Sequence, residues 1–257
     1  MTEGQLKIDK RRSAILELLR REKYVRVPEL SRMLGITQVT VRSDLAALEA
    51  GGHLLRTQGG AVLPTGSLAE EEVKGIHNYD AKWAVAQRAA SEIPNGSTLL
   101  INHGTTTLLF ARALKSHKDL HIVTNSYPVA KELSDIPSFR VLLLGGELDT
   151  HFDFTTGDEA KEQLLHYQAD RAVLAVDGVS VAGGVTTYHA AAAALNRLMS
   201  QRASRTIVIA DHSKIGRCGF THICEVSSHL QLITDREADP SALQDLENAG
   251  LSAIIAP

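Results

Sequence analysis

The chain reads as an α/β protein in two parts, an N-terminal winged helix-turn-helix domain followed by a larger, mainly parallel α/β domain. Three observations carry this. Residues 25–44 place two short helical patterns on either side of one glycine. From about residue 80, apolar runs of four or five residues alternate with helical patterns, the rhythm of a parallel sheet covered on both faces. Charge is also divided unevenly. The net charge is −3, yet residues 1–60 hold 11 Lys and Arg against 7 Asp and Glu, so a head of +4 precedes a body of −7. A basic head suits a polyanion such as DNA, and the acidic body does not.

The elements follow in order. Residues 1–8 read as a loose tail, and a first helix is expected over 9–21 with Ala14, Ile15, Leu18 and Leu19 turned inward. The paired helices open at Val25 and close at Asp44. Pro28 and Glu29 suit a first helical turn, where Pro lacks an N–H that would be unpaired anyway. Leu30, Met33 and Leu34 recur at helical spacing, Gly35 suits a left-handed stop, and Thr37 suits an N-cap. Val41, Leu45 and Leu48 then line one face of the second helix, while Gln38, Val39, Thr40, Arg42 and Ser43 occupy the other. In a helix-turn-helix those first turns enter the major groove, where Arg pairs with guanine and Gln with adenine. The helices alone fit any αα-hairpin with a solvated face equally well. Residues 53–61, HLLRTQGGA, decide between the two by reading as a β-hairpin wing, with Arg56 near phosphates or the minor groove. The expected domains are 8–63 and 80–257, joined by a linker over 64–79 that combines turn residues with an acidic run.

In the second part a helix is expected over 81–92. Strands are expected over 98–102, 121–124, 140–144, 172–176, 206–210, 230–234 and 252–255, with helices over 107–115, 128–134, 158–167, 190–202 and 241–249. Ligands of such sheets bind beyond the C-terminal strand ends. The loop Asn102-His103-Gly104-Thr105-Thr106 leaves one strand and opens one helix, so its amides and hydroxyls suit an anion; a simple βα turn is the plainer reading. Asn125-Ser126, Gly145-Gly146, Asp177-Gly178, Thr186-Thr187 and the segment 211–217 with Lys214 end neighbouring strands. Each is weak singly, and their shared edge gives them weight.

Two series of motifs resemble one family. Thr40-Val41-Arg42-Ser43-Asp44-Leu45, Leu48-Glu49, Leu55-Arg56 and Gly59-Gly60-Ala61 are similar to the winged helix-turn-helix of DeoR-family bacterial regulators. The family usually carries two successive Arg where this chain has Arg42-Ser43, which bears on operator preference. Then G-T-T-T at 104, T-N-S at 124, G-G-E at 145, D-G at 177, G-V-T-T at 184 and D-H-S-K-I-G at 211 resemble its C-terminal domain, so the likeness runs from about residue 9 to the end. The resemblance implies a sugar-phosphate-isomerase-like fold, a phosphorylated sugar or amino sugar as effector, and phosphate near Gly104, Thr105, Thr106 and Lys214. It also implies a repressor of a carbohydrate operon that binds operator DNA as a homodimer or homotetramer. Many members have Asp at Asn102 and acidic residues where this chain has Ala190 to Ala194, which leaves the sugar's identity open.

The rival reading is a sugar-phosphate isomerase or deaminase carrying a DNA-binding domain. Such chemistry needs a positioned acid and base. Asp177 is present, but Val179 stands where the deaminases have His, and the alanine run replaces the downstream acid. The expectation is a binding domain with no catalytic residues. An activator role is left open. Cys218, His222 and Cys224 form no close-set tetrad, so no metal is expected, and Gly145-Gly146 lacks the rest of a dinucleotide fingerprint, so no cofactor is expected. The polar start, the two cysteines and the lack of a long apolar run point to the cytoplasm and away from a membrane.

Overall fold

A computed structural model describes residues 3–22, 24–50, 53–57, 59–62, 76–150 and 152–257. The chain divides into two compact units, Met1–His77 and Asn78–Pro257. Most of the expected linker lies outside the described residues. The second unit begins at Asn78, two residues before the expected boundary, because the Asn78 side chain donates to Asp211 within that unit at 3.1 Å.

The first unit comprises α1 (Glu3–Glu22), β1 (Tyr24–Arg26), α2 (Val27–Leu34), α3 (Gln38–Ala50), β2 (Leu55–Thr57) and β3 (Gly60–Val62). Helix α1 begins at Glu3, so the expected loose tail is largely helical. Its inward face is Ile15, Leu16 and Leu19. Leu16 replaces the expected Ala14 and Leu18, which are only partly buried. These pack with Val27, Leu30, Val41, Leu45, Leu48 and Leu54 as one small core. Met33 was expected in that core, yet it is 61% exposed. An eight-residue helix has room for only a narrow apolar stripe, and Val27 and Leu30 fill it. The wing forms as expected from β2 and β3, which pair antiparallel. Strand β1 adds to the outer side of β3, placing Val25 opposite Ala61; the sequence reading had no strand there.

The second unit runs α4 (Tyr79–Ser91), β4 (Thr98–Ile101), α5 (Thr105–Ala113), β5 (His121–Thr124), α6 (Tyr127–Ser134) and β6 (Arg140–Leu143). It continues through β7 (Glu147–Asp149), β8 (Phe154–Thr156), α7 (Asp158–Leu165), β9 (Ala169–Ala175), β10 (Gly178–Ser180) and β11 (Gly184–Thr187). The last elements are α8 (Ala190–Gln201), β12 (Ala203–Ile209), β13 (Thr221–Cys224), β14 (Leu230–Thr234), α9 (Pro240–Asn248) and β15 (Ser252–Ile255). All seven expected strands join one sheet in the order β15-β14-β12-β9-β4-β5-β6, and every neighbouring pair is parallel. Their Val, Ile and Leu side chains are buried on both faces in the central strands, as a covered parallel sheet requires. The chain starts this sheet at β4, builds outward to β5 and β6, and then returns to the other side of β4 with β9. The crevice beyond the ends of β4 and β9 is therefore the switch point where such sheets bind ligands. The antiparallel pairs β7-β8 and β10-β11-β13, absent from the sequence reading, lie among the loops beyond those strand ends.

Candidate functional site

In the first unit the candidate surface is the start of α3. Gly35 ends α2 in the left-handed region at φ 63°, and Thr37 accepts from the Thr40 amide at 3.2 Å, capping α3 as its residue type predicts. Thr37, Gln38, Val39, Arg42 and Ser43 are exposed and Thr40 is partly so. Arg42 and Gln38, one turn apart, lie within 3.4 Å of each other, so the two groups suited to base edges share one patch. What holds the patch in place is Asp44, one position beyond it. Its buried carboxylate accepts from Arg11 Nε at 2.5 Å and Arg11 Nη2 at 3.0 Å, and from Arg12 Nε at 3.2 Å, tying α3 to α1. Arg56 is not a loose cation on the wing, because its Nε donates to Glu49 Oε2 at 2.6 Å and its amide to Glu49 Oε1 at 2.8 Å. That pairing fastens the wing to the end of α3.

In the second unit the site gathers at the C-terminal ends of three adjacent strands, β12, β9 and β4. Strand β9 delivers Asp177. Strand β12 leads to Asp211, which caps the short 3-10 turn His212–Lys214 by accepting from the Ser213 amide at 3.0 Å. Strand β4 leads through Gly104 into α5. Gly104 sits at φ 152°, and a Cβ there would lie 3.0 Å from Ala175 Cβ, so the turn passes hard against β9. The first intrahelical bond of α5 is Leu108 N to Gly104 O, so the amides of the three threonines precede it at the helix's positive end. Lys214 Nζ lies 3.9 Å from Asp177 Oδ1, and Thr187 Oγ1 and the Tyr188 amide donate to Asp177 Oδ2 at 2.9 and 3.0 Å.

The residue that completes the cluster, Lys82, was missed. It sits one turn into α4, 2% exposed, and its Nζ donates to Thr105 Oγ1 at 3.3 Å. A signal existed. Lys82 falls in register with the buried stripe Val85, Ala86, Ala89 and Ala90, a place where lysine is costly unless it has a task. Burial, and then the neighbouring Lys214, push its pKa down from 10.5 to about 8, against the pull of Asp211 and Asp177. Burial would raise Asp211, but Lys214 and Lys82, with donors from Ser213 and Asn78, outweigh it and hold its carboxyl below the ordinary value. Two buried ammonium groups, two carboxylates, a hydroxyl and a helix N-terminus thus meet at one set of strand ends. The arrangement can take an anion, which would be matched by the lysines and the α5 amides.

Other expected site residues also bond or pack within the fold. Asn102 is fully buried, donates to Ala175 O at 2.9 Å and accepts from Ala175 N at 2.8 Å, so its amide bolts β4 to β9 across the switch point. Asn125 donates to Thr155 O at 3.0 Å, and Ser126 caps α6 through Val129 N. Thr186 donates to Gly178 O and accepts from Gly219 N. Gly145 and Gly146 sit where packing leaves no room for a side chain. A Cβ on Gly145 would meet Gln163 Nε2 at 2.9 Å, and one on Gly146, at φ 129°, would meet Thr156 O at 2.4 Å. Strands are spaced about 4.8 Å apart, so the ends of β5 and β6 stand one and two steps from β4 and farther from the lysines. Thr106 is buried beside Thr105 on α5. The trio Cys218, His222 and Cys224 is not gathered as a metal site. Among the described residues, His212, Asp235 and Glu237 bring ligand atoms within 4.8 Å, but Asp235 already accepts from His212 Nδ1 at 2.9 Å and from the His212 and Glu237 amides. No helix among the described residues is long and apolar enough to cross a membrane.

Comparison with known proteins follows the same two-part division. Residues 11–66 match the family model for a DeoR-like helix-turn-helix domain, and residues 77–236 match that for the DeoR C terminal sensor domain. The chain is 34% identical over 249 residues to a putative aga operon transcriptional repressor of Escherichia coli O157:H7, covering 95% of this chain and 93% of that one. It is 30% identical over 242 residues to the glycerol-3-phosphate regulon repressor of Escherichia coli K12, covering 94% and 96%. It is 31% identical over 249 residues to the transcriptional repressor GlcR of Bacillus subtilis, covering 96% of each. Among solved structures, ribose 5-phosphate isomerase A of Methanocaldococcus jannaschii aligns with 53% of this chain and 54% of its own, at 17% identity and a TM-score of 0.40.

Proposed function

This chain belongs to the DeoR family of transcriptional regulators, and we propose that it represses a carbohydrate-use operon and leaves its operator when a phosphorylated sugar binds the second unit. The observation that carries the effector half is the meeting of Lys82 and Lys214 with Thr105 and the start of α5 at the switch point. In this reading the lysines and the amides of Thr105 and Thr106 receive the phosphate, Gly104 lets it approach, and Asp177 with Thr187 faces the sugar. Asn102, Asn125, Ser126, Gly145, Gly146 and Thr186 hold those groups in place.

The DNA half rests on the exposed patch of Thr37, Gln38, Val39, Thr40, Arg42 and Ser43. Arg56, steadied by Glu49, serves a phosphate beside it. A homodimer or homotetramer follows from the need to present two such helices to a two-fold operator. Both named repressors of Escherichia coli and GlcR support repression over activation. Supporting a binding role over catalysis, Asp177 is engaged by Lys214, Thr187 and Tyr188, and Val179 points into the core rather than supplying a base.

Switching is a matter of differential affinity. Driving the population from about 99% operator-bound to about 1% needs the effector to prefer the released state by about 5.5 kcal/mol. The test is to select a binding duplex from a random pool with the full chain, then titrate it off with phosphorylated sugars. Release by one of them, with no turnover of that sugar, is expected. Release by none, or steady turnover, overturns the reading.

A further inference from the structure

Asn78 is the first residue of the second unit and the N-cap of α4, yet its side chain does not serve that helix. An asparagine at such a position normally has extended backbone and turns its side-chain oxygen onto the amides of the first turn. Asn78 instead sits in the left-handed region at φ 56° and ψ 39° and makes no side-chain capping bond. Its side-chain amide donates to Asp211 Oδ1 at 3.1 Å, 133 residues along the chain. The backbone alone keeps the start of the helix, through Lys82 N donating to Asn78 O at 2.9 Å. One residue thus has two discrete arrangements within reach. It is left-handed and tied to Asp211, or extended and capping α4.

Asp211 stands where an anion at the lysines would be felt. Its carboxylate is 1% exposed, and Oδ1 takes both the Asn78 and the Ser213 donors. Among the described residues, its buried Oδ2 has no hydrogen-bond partner. A buried carboxylate bonded on one oxygen depends on nearby cations, and here these are Lys214 and Lys82. An anion that engages the same lysines takes over their charge. It also sets a second negative group near the first in a buried place, where like charges repel strongly. Asp211 then loses support, and so does its hold on Asn78. Without that tie the left-handed backbone is costly for a residue with a Cβ, and the extended N-cap is the lower state. The φ rotation sets the direction of the chain before Cα, so the change turns the chain at residue 77 where it enters α4.

We infer that Asn78 is the switch through which an anion at Lys82 and Lys214 acts on the chain leading from the DNA-binding unit. Asn78 is tied to Asp211 in the operator-binding arrangement and caps α4 in the released one. The inference rests on the effector reading above and gives it a transmitting residue. A merely structural role for Asn78 predicts that its replacement weakens duplex and effector binding together.

The test uses the full chain and measures two affinities. One is for the duplex selected from the random pool. The other is for a panel of probes: inorganic phosphate, hexose 6-phosphates, pentose 5-phosphates and glycerol 3-phosphate. Serine caps helices well but has neither the amide donor nor the ease of asparagine in the left-handed region. Asn78→Ser is therefore expected to bind the duplex about tenfold more weakly and, because coupling between sites is reciprocal, to bind the strongest probe more tightly than the parent does. Glycine accepts the left-handed backbone freely but has neither the tie nor the cap. Asn78→Gly is expected to keep both affinities near parental while the probe's effect on duplex binding shrinks several-fold. The switch is overturned if Asn78→Ser leaves duplex affinity unchanged, if it lowers duplex and probe affinity together, or if Asn78→Gly keeps the parent's full response. Failure of every probe to bind the parent chain overturns the effector reading itself, and the switch with it. Probes that bind and release the parent while both variants behave as the parent does overturn the switch alone.

Discussion

The two candidate surfaces are built on opposite principles. At the start of α3 the candidate contact residues are exposed, Thr40 partly, with the Gln38–Arg42 and Thr37–Thr40 pairs among them, and one buried ion cluster at Asp44 ties the helix to α1. At the strand ends of the second unit most polar candidates are buried and bonded to backbone. A surface that meets a rigid duplex keeps its donors in water until the partner arrives. A crevice that takes a small anion must exclude water, so most of its polar atoms are consumed in building walls. The difference teaches that a polar residue at a buried strand end is bonded within the fold, whereas Gln38 and Arg42 on α3 stand exposed with a bond to each other.

Removing Asp44 should have the largest effect on this contrast. Asp44→Ala leaves the Arg11 and Arg12 guanidinium groups facing an empty buried position, and breaking such a pair costs about 3–5 kcal/mol. Thermal unfolding should show the first unit melting early, with effector binding by the second unit intact. Equal loss in both units would break the comparison.

Next comes Lys82→Met. Losing one charge-assisted hydrogen bond to phosphate is worth about 1.5–3 kcal/mol, so effector should bind at least about tenfold more weakly while operator affinity is unchanged. Release at normal effector concentration would remove Lys82 from the site. Arg42→Ala should cost about 1–3 kcal/mol of specific DNA binding if it reads a base, measured as the ratio of selected to random duplex. An unchanged ratio would move recognition elsewhere.

The acid–base behaviour of Lys82 sharpens the crevice side. Its folded pKa, about 8 against 10.5, means the empty folded chain binds fewer protons than the unfolded chain between those values. Stability should therefore rise across that window from this group. Phosphate favours the charged lysine, so above pH 8 effector binding should take up a proton, and affinity should fall by up to about tenfold per pH unit. Calorimetry in two buffers of different ionisation enthalpy reads the proton directly; no uptake at pH 9 would show that Lys82 stays charged throughout. The smallest effect is expected from Arg56→Ala. Its pair with Glu49 is largely exposed and worth at most about 1 kcal/mol, and the salt slope of DNA binding should fall by about 1 if it serves one phosphate.

Much of this was legible without coordinates. Pattern located all seven strands of the parallel sheet, because short apolar runs rich in Val and Ile, such as those at 172–176 and 206–210, suit strands buried on both faces. The glycine at 35 and the threonine at 37 carried the turn between α2 and α3 by backbone preference alone. The antiparallel additions β7-β8 and β10-β11-β13 were not legible, since strands of three or four residues are too short to show a distinctive period.

The amino-acid sequence by itself determined the two-part plan, the strand and helix order, the exposed reading face and the set of strand-end loops, because these depend on local spacing and local backbone preference. Only the tertiary structure decided which strand ends are neighbours. That choice bonded Asn102 to Ala175, brought Lys82 from a separate helix to Thr105, and gathered His103, Phe152, Phe154 and His189 into one ring cluster. Each of these contacts joins residues far apart along the chain, and no short-range pattern encodes a meeting that depends on the order in which strands line up.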